Sequence, residues 1–140
     1  MVNIIKVFIV EDDLDIAHLY QKLLVISGFD VVGIAENGET AIKMYQSFSK
    51  KPDIIVMDHR MPIKNGIDTT VEILKIEKTQ KVIFASADRS VKKEVFSIGA
   101  VDFLEKPFSL DTLAQCIKRT LDSKTVEDEQ ISEEYPQETN

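Results

Sequence analysis

The stretch DIIVMDHRMP, Asp53–Pro62, decides the fold. Ile54, Ile55, Val56 and Met57 form an unbroken apolar run, which suits a strand covered on both faces. The run stops at Asp58, and a loop with Arg60 and Pro62 follows at once. A buried, unpaired carboxylate is expensive, so Asp58 either caps something or its charge is used.

Working outward, the same alternation repeats along the chain. Ile4 to Val10 reads as a first strand. Leu14, Ile16, Ala17, Leu19, Tyr20, Leu23, Leu24 and Ile26 then recur at helical spacing, with Gly28 as a stop. Asp30 to Ala35 is a second strand, and Asn37 is placed to cap a helix carrying Ala41, Ile42, Met44, Tyr45 and Phe48. After the Ile54–Met57 strand, a helix follows Gly66 with Ile67, Val71, Ile73, Leu74 and Ile76. Val82 to Ala85 is a fourth strand, and Val91, Val95, Phe96 and Ile98 lie on a short helix closed by Gly99. Val101 to Leu104 is a fifth strand, and Ser109 caps a last helix with Leu110, Leu113, Cys116, Ile117 and Leu121.

Five βα units with strands apolar on both faces predict an α/β fold, a doubly wound parallel sheet with helices on both sides. In such a sheet, ligands bind beyond the carboxyl ends of the strands, near the switch in strand order. Glu11, Asp12 and Asp13 leave the first strand, Asp58 the third, Ser86 the fourth and Lys106 the fifth. Carboxylates, a hydroxyl and an ammonium are thereby predicted at one edge. Glu11, Asp12 and Asp58 are an oxygen-rich set for a hard divalent cation such as Mg2+. Without a cation they repel one another. Beside a cation, a carboxylate can act as a nucleophile toward a phosphoryl group, with Lys106 and Ser86 binding the transferred oxygens.

This constellation resembles the receiver domain of two-component response regulators over about residues 4 to 121. The resemblance rests on IVEDD (Ile9–Asp13), IVMDHRMP (Ile55–Pro62) with Asn65-Gly66, FASA (Phe84–Ala87) and EKPF (Glu105–Phe108). Each is weak alone; in this order, each at a strand end, they are specific. The resemblance implies a flavodoxin-like strand order 2-1-3-4-5 in a single domain. It also implies that Asp58 is the phosphoacceptor and that Glu11 and Asp12 hold Mg2+ with Asp58 and the backbone carbonyl of Arg60. Asp13, one place past the acidic pair, starts the first helix. Ser86 takes the place of the switch hydroxyl, Phe103 that of the aromatic switch, and Lys106 that of the phosphoryl-binding lysine. The Lys106–Pro107 bond is expected to be cis.

Two positions depart from the family pattern: Ser86 stands where threonine is commoner, and Phe103 where tyrosine is frequent. The hydroxyl at 86 is kept, while the ring at 103 cannot hydrogen-bond at its tip. Arg60 and Asp88, each two residues past a site residue, are expected to pair across the cleft mouth and crowd out hydrolytic water. His59 and His18 are expected to be surface residues.

The implied partners are a histidine kinase or a histidine phosphotransfer protein, and a downstream protein docking on the fourth helix, fifth strand and fifth helix. A monomer or a weak phosphorylation-dependent dimer is expected, acting as a stand-alone receiver that catalyses its own phosphoryl transfer and hydrolysis. The alternative is a pseudo-receiver, an interaction module without phosphorylation. A phosphatase of the haloacid dehalogenase type is disfavoured because Arg60 stands where its second aspartate belongs. A dinucleotide site is disfavoured because VEDDLD, not GxGxxG, follows the first strand.

Composition agrees with this reading. Residues 122–140 hold seven acids and one base, a net −6, leaving −1 of the chain's −7 for residues 1–121. The body therefore has no basic footprint for nucleic acid, and the tail reads as an acidic, disordered segment. No apolar run reaches membrane-spanning length, no signal pattern opens the chain, and the single Cys116 fits a reducing cytoplasm.

Overall fold

A computed structural model describes residues 3–122. Five parallel strands form one sheet in the order β2-β1-β3-β4-β5. The strands are β1 (Lys6–Val10), β2 (Asp30–Ala35), β3 (Ile54–Met57), β4 (Lys81–Ser86) and β5 (Asp102–Glu105). The helices are α1 (Leu14–Ile26), α2 (Gly38–Ser47), α3 (Gly66–Ile76), α4 (Lys92–Ser97) and α5 (residues 110–122). The expected tail lies outside the described residues except for Asp122, which belongs to α5.

The apolar runs are explained by two cores, one on each face of the sheet. Val7, Ile9, Ile54, Val56 and Ile83 pack with Ala17, Tyr20, Leu24, Leu113 and Ile117 of α1 and α5. Phe8, Val10, Ile55, Met57 and Phe84 point the other way, onto Ala41, Tyr45, Ile67, Ile73 and Val95 of α2, α3 and α4. Alternate residues of each strand therefore each fill a core, and each large side chain fully buried contributes about 1.5–3 kcal/mol.

Helix starts follow the capping chemistry read from the sequence. Asp13 Oδ1 accepts the Asp15 and Ile16 amides, Asn37 Oδ1 the Thr40 amide, and Ser109 Oγ the Thr112 amide. Asn65 caps α3 by accepting the Asp68 amide.

Several boundaries differ from expectation. β1 begins at Lys6, with Ile4 exposed; β4 and β5 each run one residue further into the site, to Ser86 and Glu105. The fourth helix is preceded by a 3-10 turn, Arg89–Val91, because Asp88 binds the Ser90 amide and starts the turn early. Among the described residues no helix is long and apolar enough to cross a membrane.

Candidate functional site

The strand order reverses between β1 and β3, so the carboxyl ends of these two strands open a cleft. The chain leaving β1 stays tied to the sheet, since the Glu11 amide donates to Ala35 O at 2.9 Å. The Asp58 amide donates to Val10 O at 2.9 Å, which fixes where the chain leaves β3. These two bonds bring the Glu11 and Asp58 side chains together, 2% and 8% exposed.

Asp12 completes the group. The carboxylate oxygens of Glu11, Asp12 and Asp58 lie within 4.8 Å of one another. An octahedral Mg2+ with ligands at about 2.1 Å places trans oxygens about 4.2 Å apart, so this spread is close to what one ion needs. The hard, anionic, oxygen-only donor set fits the same ion.

Lys106 reaches in from the end of β5. Its Nζ is 2.7 Å from Glu11 Oε1 and 3.7 Å from Asp58 Oδ1. Its own amide donates to Ser86 O at 2.9 Å, and the Lys106–Pro107 peptide bond is cis. Ser86 is 1% exposed, and its Oγ accepts the Asp88 amide at 3.1 Å. Because Met57 pairs with Phe84, Asp58 and Ser86 leave adjacent strands at nearly the same level.

The electrostatics are those of a crowded acid cluster. Burial pushes the Asp58 carboxyl up to about 8; the Glu11 charge adds to this, Lys106 opposes it, and hydrogen bonds with Asp12 and Glu11 raise it further. Tyr20, stacked on Phe108, is raised by burial and then by the Glu11 and Asp58 charges, which places its hydroxyl under the field of the cluster. At the mouth, Arg60 Nη2 donates to Asp88 Oδ2 at 2.9 Å. The Ser90 hydroxyl and Arg60 together hold the Asp88 carboxyl below its usual range.

One residue differs from the sequence reading, and two hold roles it did not assign. His59 is half-buried rather than an exposed loop residue, and its Nδ1 is buried without a hydrogen-bond partner. Phe103, in the place of the aromatic switch, is packed inward at 8% exposure against the second core. Gly66 was read only as the residue before a helix and as part of the Asn65-Gly66 pair, yet a Cβ there would sit 2.2 Å from Asp58 O. Glycine is required because α3 starts against the backbone of the site. Tyr20 was read only as part of an apolar stripe; its one polar atom on a core face was the available signal. Cys116 is buried, as expected of a core residue; burial and then Asp102, which accepts its S–H, push the thiol up to about 12.

Sheet order, cleft position and acid cluster together define a phosphoryl-receiver type of site. Residues 7–118 match the response regulator receiver domain model, and the chain belongs to that family. It is 36% identical to the chemotaxis protein CheY of Bacillus subtilis over 118 residues, 83% of this chain and 97% of the relative. The structure is similar to TrrA of Thermotoga maritima, solved with Mg2+ and beryllium fluoride (TM-score 0.75, 29% identity, 84% of this chain and 99% of that one). It is also similar to CheY of Borrelia burgdorferi in its complex with CheX, BeF3 and Mg2+ (TM-score 0.79, 26% identity, 84% of this chain and 89% of that one).

Proposed function

We propose that Asp58 accepts a phosphoryl group from a histidine kinase or histidine phosphotransfer protein, and that the phosphorylated domain signals by docking to another protein. One observation carries this reading: Glu11, Asp12 and Asp58 converge within 4.8 Å while the Lys106 ammonium contacts both Glu11 and Asp58. Glu11, Asp12, Asp58 and the Arg60 carbonyl would hold Mg2+. When bound, the ion supplies positive charge to the acids and to the phosphoryl oxygens.

The remaining chemistry belongs to the chain. The phosphorus–nitrogen bond of the donor phosphohistidine breaks, and its electron pair leaves on the imidazole nitrogen. An Asp58 oxygen forms the new phosphorus–oxygen bond. Lys106 favours ionised Asp58 and then meets the phosphoryl oxygens as a point charge, while the Ser86 hydroxyl donates to one of them. Ser86 hands its position on to Asp88 through the amide at 3.1 Å, so drawing the hydroxyl toward a phosphoryl would tug the start of the 3-10 turn ahead of α4. Ser86 with that turn, and Phe103 packed inward at 8% exposure, form the switch pair in this reading. The output face would be α4, β5 and α5, where Phe96 and Val101 are exposed. The single buried thiol and the lack of a membrane-crossing helix among the described residues support a cytoplasmic setting.

The test is incubation with acetyl phosphate and Mg2+, followed by intact mass. A gain of one phosphoryl group that vanishes in Asp58→Asn supports the reading. No gain in the parent protein points to an interaction module without phosphorylation.

A further inference from the structure

At the edge of the sheet opposite the acid cleft, where the strands begin, the charge is reversed around the starts of β1, β3 and β4, with Asp30 at the start of β2 and Asp102 at the start of β5 on either side. Two adjoining hollows, about 410 and 200 Å3, share Lys51 and Asp53 in their walls. Their other cations are Lys6, at the start of β1, Lys81, at the start of β4, and Lys50. Against these four lysines stand two carboxylates, Asp53 and Glu77. Asp53 is occupied by the Lys6 amide at 2.8 Å and Glu77 by the Thr79 hydroxyl at 2.6 Å. None of the four ammonium groups forms an ion pair among the described residues. The Lys51 ammonium is held on the carbonyl oxygens of Tyr45 and Phe48 and lies 4.7 Å from the centre of the Tyr45 ring, with no carboxylate ion-paired to it among the described residues.

The chain returns to this floor. Leu121, on the last turn of α5 described, lines the smaller hollow beside Lys51 and Lys81. Beyond it the sequence TVEDEQISEEY places Glu127, Asp128, Glu129, Glu133 and Glu134 within eight residues, with Val126, Ile131 and Tyr135 interspersed. We propose that this acidic segment of the same chain lies back across the basic floor of the sheet, its carboxylates over Lys6, Lys50, Lys51 and Lys81.

Reach, charge and surface agree with that occupant. Five to twelve residues of chain reach about 12–19 Å from residue 122, which brings residues 127–134 over a floor that five strands make about 19 Å wide. Tethering at this length gives an effective concentration in the millimolar range, so individually weak pairs suffice. The opposite edge repels the segment, because Asp12, Asp13 and Asp15 are exposed there. Exposed Ile4, in the wall of the larger hollow, offers an apolar seat for Ile131 or Tyr135.

The test uses the whole chain carrying a nitroxide at Ser132→Cys; Cys116 is buried and does not compete for the label. Amides of Lys6, Lys51, Asp53 and Lys81 are expected to broaden most in the two-dimensional NMR spectrum at about 0.05 M salt, and to recover at about 0.5 M, where screening is short-ranged. The same recovery is expected when Glu127, Asp128, Glu129, Glu133 and Glu134 are replaced by their amides, and in Lys50→Gln/Lys81→Gln. Broadening centred on α4 or the cleft, or spread evenly over the surface, overturns the proposal, as does floor broadening indifferent to salt and to both charge variants.

Discussion

Replacing Asp58 by Asn, in the presence of a chelator, should stabilise the fold. The Asp58 carboxyl is pushed from an ordinary value of 3.8 to about 8, by burial first and by Glu11 next. Below pH 4 it is protonated in both the folded and the unfolded chain and contributes nothing. Between about pH 4 and 8 the unfolded chain ionises while the folded chain keeps its proton, so parent stability falls as pH rises. Each unit of that interval costs about 1.4 kcal/mol, and the full span up to pH 7 gives an upper limit of about 4 kcal/mol. Part of that cost comes from the neighbouring Glu11 and Asp12 side chains, which remain in place when Asp58 is replaced. A gain of about 2 kcal/mol at pH 7 is therefore expected for Asp58→Asn, which keeps shape and removes the charge. Urea unfolding of both proteins from pH 4 to 8 measures it. The advantage should be near zero at pH 4 and grow with pH. A variant less stable than the parent at pH 7, or an advantage unchanged with pH, would refute the reasoning.

Mg2+ should stabilise the parent protein by about 2.7 kcal/mol at one hundred times its dissociation constant; identical thermal midpoints in Mg2+ and chelator would rule out a functional metal site. Gly66→Ala should destabilise by about 1–3 kcal/mol and slow phosphorylation together, since the new methyl group displaces the Asp58 backbone; unfolding curves and acetyl phosphate kinetics on the same variant check both. Arg60→Ala and Asp88→Ala should each speed loss of the phosphoryl group, and the double variant should be less than additive, because the two side chains pair at 2.9 Å over the mouth; additive rates would show that the pair does not act as one gate. Beryllium fluoride with Mg2+ should shift amide signals through residues 86–108, and shifts confined to the contacts of Asp58 would show that Ser86 and the turn after it do not switch.

Most of the fold was legible because strand and helix periods are both clear in this chain. Ile54–Met57 fills both cores, and Asp13, Asn37 and Ser109 cap the helices they precede. The strand order came from the family resemblance, since periodicity alone leaves it open. Periodicity overstated the buried face of α1: Leu14, Leu19 and Ile26 are exposed, Ile26 at 74%, because only Ala17, Tyr20 and Leu24 face the sheet squarely. The acids, Ser86 and Lys106 were legible as strand-end residues. The partner of each was not, because Lys106 and Glu11 are ninety-five residues apart and meet only through the sheet. The role of Gly66 was not legible because it depends on the close approach of α3 to the Asp58 and His59 backbone, and side-chain patterns carry no record of that approach.

Receiver function in this chain turns on one covalent bond at Asp58. The most direct measurement is a peptide map of the whole chain after acetyl phosphate treatment, with and without Mg2+ and with and without hydroxylamine, which cleaves acyl phosphates. The account predicts a single phosphoryl group on the peptide containing Asp58, formed with Mg2+ and released by hydroxylamine. A hydroxylamine-stable phosphoryl group, or one on any other peptide, would contradict it.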